Sequence, residues 1–337
     1  MKCENKAKNG YFSTIVIAIC SFVGVGFITG AEIWFYFSRF GLGSVVGLII
    51  FGLLIYFVLS LSICREKTKN SKLEKIKSKI LLFGELVVAS AMVSGLCETT
   101  RLIFDRWWII FYILAILVMS LLFFCEKKSY VIYNYILLIF IIFVIFLLFI
   151  FNNNYSLINC SKSTLNFTAK NAILACVFSC IYVFSNVAEI RPILECNTKN
   201  YNNKQKKILC LILSLSLVFL AFIFALQFFL NEKLSKFSMP FLTLFKEKGG
   251  AILWIYLIGL TMTMISTADA CLIGVKNKLK FSKNNEIFIK LIVIILSLIL
   301  GQIPFRFFVR NFYPLVALFN FLIFILEIFE FKKNKNY

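Results

Sequence analysis

The order of hydrophobic and polar residues divides the chain into ten apolar runs separated by short polar links. The runs cover residues 11–40, 44–64, 80–104, 107–125, 130–151, 172–194, 208–230, 250–275, 287–303 and 311–329. Most reach the roughly 20 residues that a helix needs to cross a ~30 Å hydrocarbon layer. No link exceeds 20 residues, so no soluble domain is inserted. The pattern predicts an all-α polytopic membrane protein with about ten transmembrane helices in a single domain over 1–337.

Composition agrees with the pattern. Of 337 residues, 61% are apolar and 40 are Phe, against roughly 45–50% apolar in soluble domains. The formal net charge is +20, but the basic residues stand between apolar runs and form no patch on a soluble fold, which argues against nucleic-acid binding. With the N-terminus on the cytoplasmic side, 25 of the 36 Lys and Arg residues fall in inner segments. That alternation supports ten spans, cytoplasmic termini and a place in the cell membrane. The first run follows Lys2, Lys6 and Lys8, yet it is too long for a signal peptide and has no convincing cleavage pattern, so it is expected to be retained.

Several chemistries are disfavoured. The chain has no His and no Cys-x-x-Cys, which removes the commonest general base and metal ligand. Its only aspartates are Asp105 and Asp269, and no Gly-x-x-x-x-Gly-Lys-Ser/Thr loop is present. Neither an enzyme nor a nucleotide-driven pump is expected.

The first run contains Ser21-Phe22-Val23-Gly24-Val25-Gly26-Phe27-Ile28-Thr29-Gly30-Ala31-Glu32-Ile33. Glycine costs roughly 1 kcal/mol per helical position relative to alanine, and a charge near the bilayer centre costs at least about 2.5 kcal/mol. Three glycines and a carboxylate in one span therefore predict a broken helix. The sixth run carries Ser185-Asn186-Val187-Ala188-Glu189-Ile190, which repeats Ala-Glu-Ile at an offset of 157 residues. Both stretches read Thr/Asn-x-x-Glu, the capping-box spacing that marks a helix start. A second break is thus expected before Glu189. The first and sixth runs each lead five spans, 11–151 and 172–329. Five is an odd number, so the two halves run in opposite directions as a 5+5 inverted repeat. Paired discontinuous helices in such halves point to a transporter's binding site.

The pattern Gly24-Val25-Gly26-Phe27-x-Thr29-Gly30-x-Glu32-Ile33, followed by Phe37 and Gly41, resembles the first helix of the YkvI-type membrane proteins. Those are similar in turn to the amino acid–polyamine–cation superfamily, with its LeuT-like fold. The resemblance implies a secondary active transporter of a small organic solute, an amino acid or amine, coupled to Na⁺ or H⁺. The alternative is a non-transporting sensor subunit of the germinant-receptor kind. In the transporter reading the amides of Val25, Gly26 and Phe27 take a solute carboxylate, and glycine at 24 and 26 allows close approach. Thr29, Gly30, Ser185 and Asn186 flank the two breaks, while Ser90 and Ser94 on the third span face them. Close helix packing through Gly26-x-x-x-Gly30 is the alternative.

The same resemblance implies a Na⁺ site from the Ser266 and Thr267 hydroxyls with carbonyls of Cys20, Val23 and Thr263, an all-oxygen set suited to a hard cation. Adjacent hydroxyls that merely bond back to their own helix are the alternative. Glu32 and Glu189 either cap restarted helices or carry a proton, and Asp269 is a further proton candidate. Glu98 and Arg101 are expected to pair. The expected partners are the lipid bilayer and the small-molecule solute, with no cofactor beyond a coupling ion. Finally, Phe237, Phe241, Leu242, Leu244 and Phe245 recur at helical spacing in the link 231–248, with Pro240 among them. They predict a short amphipathic helix, either an ordinary surface helix or an outer lid.

Overall fold

The first apolar run folds as three helices. The computed structural model describes residues 2–64, 72–124, 127–152, 167–278 and 294–335. In it α1 (Lys2–Phe22) stops at Val23–Gly24, α2 (Val25–Ile28) is a single turn, and α3 (Ala31–Tyr36) restarts after Thr29–Gly30. Gly24 is extended, with φ −82° and ψ −167°. Gly30 sits at φ 79°, the left-handed region that a side chain resists. The expected break in the first run is present.

The remaining described helices follow the apolar runs. They are α4 (Gly43–Cys64), α5 (Lys72–Phe104), α6 (Trp108–Phe124), α7 (Lys127–Asn152), α8 (Ala169–Asn197) and α9 (Asn203–Leu230). Then come α10 (Pro240–Lys248), α11 (Gly250–Lys278) and α12 (Tyr313–Lys335). A short turn at Phe305–Phe307 and a wide π turn at Phe308–Phe312 lead into α12. Seven described helices are long and apolar enough to cross a membrane, and the apolar parts of α1 and α6 are shorter. No strand occurs among the described residues. The chain is therefore a multi-pass helical membrane protein. Of the expected ninth run, residues 287–293 lie outside the described residues and 294–300 are helical.

Helix starts show the chemistry that the sequence leads one to look for. The Thr168 side chain caps α8 by accepting from the Asn171 amide. Asn202 and Gln205 form a reciprocal capping box at α9, and Pro240 occupies the first turn of α10. The capping box expected inside the sixth run is a different matter. Helix α8 passes through 186–190 without interruption, so the predicted second break is corrected to a continuous helix. Asn186 and Glu189 mark no helix start, because the preceding turns keep their helical bonds. Even Pro192 lies within α8, although its missing N–H leaves the carbonyl four residues back without its helical donor.

Helix α1 runs centrally, packed on α7, α8 and α11. Around it α4 packs on α8 and α9, α5 on α11, and α12 on α8. Ile17 of α1, Tyr130 of α7, Ile193 of α8 and Ala270 of α11 gather into a cluster of their own. The outer faces are bare and apolar. Ile139 is 69% exposed, Leu121 65% and Phe219 63%, a distribution suited to lipid rather than water. Arg191 of α8 lies between two carboxylates, Glu195 at 2.8 Å and Glu327 of α12 at 2.7 Å.

Candidate functional site

The break in the first run gathers polar backbone at the centre of the bundle. A single-turn helix cannot satisfy its own leading amides. Accordingly the N–H groups of Val25, Gly26 and Phe27 form no hydrogen bond among the described residues, and the first to do so is Ile28, to the Gly24 carbonyl at 3.2 Å. The carbonyls freed by the same break are met from outside. Ser21 O accepts from the Thr267 hydroxyl at 2.8 Å, and Ile28 O accepts from the Tyr256 hydroxyl at 3.0 Å. Thr29 O accepts from the Phe241 amide at 3.0 Å. Helices α10 and α11 thus complete the hydrogen bonding that α1 gives up, as an interrupted helix in lipid requires.

Helix α10 is the amphipathic helix expected in the link 231–248. Its apolar residues Phe241, Leu242, Leu244 and Phe245 are buried. They pack inward over the break, where Phe241 lies against Gly30, and the Phe228 and Phe224 rings stand 5.2 and 5.7 Å from it. Phe237 falls outside the helix and stays exposed. The arrangement covers one end of the broken segment.

Glu32 does not cap α3. The N-cap is Gly30, with no side-chain bond, and the Thr29 hydroxyl bonds back to the Val25 carbonyl at 2.7 Å. The capping reading of Glu32 is corrected: its Oε2 accepts from the Tyr182 hydroxyl of α8 at 3.0 Å. Phe22, Tyr36, Phe37 and Phe51 surround Tyr182 with ring centroids 5.9, 4.9, 5.3 and 5.7 Å away. The Glu32 carboxyl also lies directly on Gly26, where an added Cβ would stand 2.1–2.2 Å from its Cδ, Cγ and Oε1. Gly26 is therefore glycine because the carboxyl occupies the space of a side chain.

The residues expected to bind Na⁺ come together only in part. Thr267 reaches the first run, but at Ser21 O rather than at Cys20 or Val23, because the break leaves Ser21 O without its helical donor, the Val25 amide. The Ser266 hydroxyl donates to Asn134 Oδ1 at 2.7 Å, and Cys20 Sγ donates to the Asn134 carbonyl at 3.2 Å. Asn134 of α7 thus joins the two. The Thr263 hydroxyl bonds back to Leu260 O at 2.8 Å. Tyr130 donates to Ser266 O at 3.2 Å, one helical turn before Asp269. Both carboxyl oxygens of Asp269 are buried and have no hydrogen-bond partner among the described residues.

The third and sixth spans supply different contacts from those expected. Ser90 bonds back to Leu86 O at 2.7 Å, and Ser94 donates to the Ile303 carbonyl, so neither is committed to the break. The residues of α5 that touch it are Met92, against Gly24, and Gly95, against Val25. Ser185 bonds back to Tyr182 O at 2.9 Å, and Asn186 Nδ2 is buried without a hydrogen-bond partner among the described residues. The Glu189 side chain lies outside the described ones. Glu98 and Arg101 do not pair. Arg101 stands over the Trp108 ring at 4.3 Å, and Glu98 Oε2 has no hydrogen-bond partner among the described residues.

Tyr182, Asn134, Tyr130 and Tyr256 carry much of the site and were not singled out by sequence. One signal was available for them. Each is a side chain able to hydrogen-bond within a long apolar run, where such groups serve a purpose or are absent. No family model matches the chain, and no curated protein matches it either.

Proposed function

We propose that the chain is a secondary active transporter of a small organic solute, an amino acid or amine, driven by Na⁺ or H⁺. In this reading it has the five-plus-five layout of the amino acid–polyamine–cation superfamily, with both termini cytoplasmic in the cell membrane. The observation that carries the proposal is the interrupted first helix. Three amides at the start of α2 are unbonded among the described residues, and the carbonyls that the run frees on either side of α2 are held by α10 and α11. A plain anchor or packing helix gains nothing from such a break, whereas a solute with hydrogen-bonding groups can complete it.

The coupling ion is assigned to the neighbouring polar cluster of Ser21, Asn134, Ser266, Thr267 and Asp269. Its oxygens suit a hard monovalent cation, and Asp269 supplies the charge to neutralise one. The reading does not need a second broken helix, since α8 contributes Tyr182 from an unbroken segment. Reconstitution into sealed vesicles tests it. A radiolabelled solute should accumulate above its external concentration when an inward Na⁺ or H⁺ gradient is imposed. Binding without accumulation would replace transport by a sensor role.

A further inference from the structure

Glu32 presents a charge problem that the transport reading leaves open. It is 4% exposed, its Oε2 takes one hydrogen bond, and its Oε1 takes none among the described residues. No ion pair reaches it among the described residues. The next basic residue along the chain, Arg39, is turned onto Phe35, Phe40 and Phe178, at 4.2, 4.8 and 4.2 Å from the ring centroids. A buried carboxylate of this kind needs a cation or a proton to offset its lost hydration.

Its position also decides what can approach. The Oε1 edge lies against Gly26, the glycine at which a solute carboxylate would contact the free amides. An anionic group arriving there would meet the Glu32 carboxylate on the same glycine, and like charges in a low-dielectric site repel strongly. The Tyr182 ring that holds Oε2 is itself packed among Phe22, Tyr36, Phe37 and Phe51, an aromatic setting compatible with an organic cation.

We infer that Glu32, on the floor of the break beside Gly26 and Tyr182, is the recognition group for an organic ammonium ion. The solute is then an amine without a carboxylate on the same carbon. The inference rests on the transport reading for its physiological meaning, but not for its test. In it the ammonium donates to Oε1, and the Tyr182 hydroxyl continues to hold Oε2. The free amides of α2 are left for a neutral acceptor on the solute.

The test compares each amino acid with the amine obtained by replacing its carboxylate with hydrogen. The pairs are phenylalanine with 2-phenylethylamine, alanine with ethylamine, and ornithine with 1,4-diaminobutane. Thermal unfolding of the purified full chain in detergent reads binding. The expected result is that, in at least one pair, the amine raises the midpoint while the amino acid does not. In Glu32→Gln the apparent affinity for that amine should fall roughly 10- to 100-fold, the loss of one charge-assisted hydrogen bond. Glu32→Asp keeps the charge and should retain the preference at lower affinity, which covers the case where Glu32→Gln does not fold. The exposed Glu247→Gln on α10 should bind as wild type does. The inference is overturned if the amino acids stabilise as well as their amines, if no amine stabilises, or if amine binding survives Glu32→Gln. Uptake is a separate readout. Glu32-dependent amine binding without accumulation would end the transport reading and leave this assignment standing.

Discussion

The hydroxyl of Tyr182 donates to Glu32 Oε2 at 3.0 Å, tying the unbroken α8 to the far side of the break in the first run. Removing that donor leaves a buried carboxyl oxygen unsatisfied, which costs about 1–3 kcal/mol. Tyr182→Phe keeps the ring and its aromatic neighbours, so the loss isolates the hydrogen bond. We expect a lower unfolding midpoint in detergent. An unchanged midpoint would mean that Glu32 finds another donor.

Gly26→Ala should act through Glu32 rather than through helix propensity. The new Cβ would fall 2.1 Å from the Glu32 Cδ, so the carboxyl must leave its place. Overpacking of this kind costs about 1–3 kcal/mol. In a double-mutant cycle, Gly26→Ala should be much less destabilising in a Glu32→Ala background. Additive effects would show that the two residues do not interact.

Gly30→Ala meets two obstacles. Its φ of 79° costs an L-residue roughly 1–2 kcal/mol, and the added Cβ would stand 2.6 Å from the Phe241 ring. We expect the larger part of the loss to come from displacing α10. If so, Phe241→Ala recovers part of the stability when added to Gly30→Ala. A Gly30→Ala protein that unfolds at the wild-type midpoint would contradict the left-handed turn itself.

The ion cluster has its own test. Thr267→Ala removes the donor to Ser21 O, and Ser266→Ala the donor to Asn134 Oδ1. If Na⁺ is the coupling ion, wild-type protein should unfold at a higher temperature in NaCl than in KCl of equal ionic strength. Either substitution should abolish the difference. Identical midpoints in the two salts for wild-type protein would move the assignment to protons, with Asp269 as the first group to replace.

A fourth region is structural. Arg191 is held between Glu195 and Glu327, joining α8 to α12. Truncating Arg191 to Met leaves the Glu327 carboxylate, 2% exposed, without this partner, and breaking a buried pair costs about 3–5 kcal/mol. Arg191→Met with Glu327→Gln should be more stable than Arg191→Met alone. Equal stability of the two would show that the Glu327 charge is satisfied elsewhere.

Much of the architecture was legible because lipid imposes a simple rule. Apolar runs of sufficient length become helices, and the described helices follow those runs. The first break was legible for the opposite reason, since Gly24 and Gly30 are costly in a lipid-spanning helix unless the chain departs from one there. The expected break in α8 was not found, because Asn186-x-x-Glu189 carries no glycine to release the backbone. A capping-box spacing alone does not stop a helix whose preceding turns are intact. Sequence also placed Glu32 at the break but not its partner, since the hydrogen bond to Tyr182 joins residues 150 apart in the chain. Likewise, Ser90 and Ser94 are the polar choices on α5, yet Met92 and Gly95 face the break. Helix rotation decided that, and a run apolar on all sides does not reveal its rotation.

Gradient-driven uptake tests the central claim most directly. Full-length protein is reconstituted into sealed vesicles, and entry of labelled 1,4-diaminobutane and labelled alanine is followed under an inward Na⁺ gradient, an inward H⁺ gradient and no gradient. We expect one of the two solutes to accumulate above its external concentration under one gradient and to equilibrate without it, with Gly26→Ala vesicles behaving as empty ones. Equal entry with and without each gradient, for solutes that demonstrably bind the protein, would contradict transport through the broken first helix.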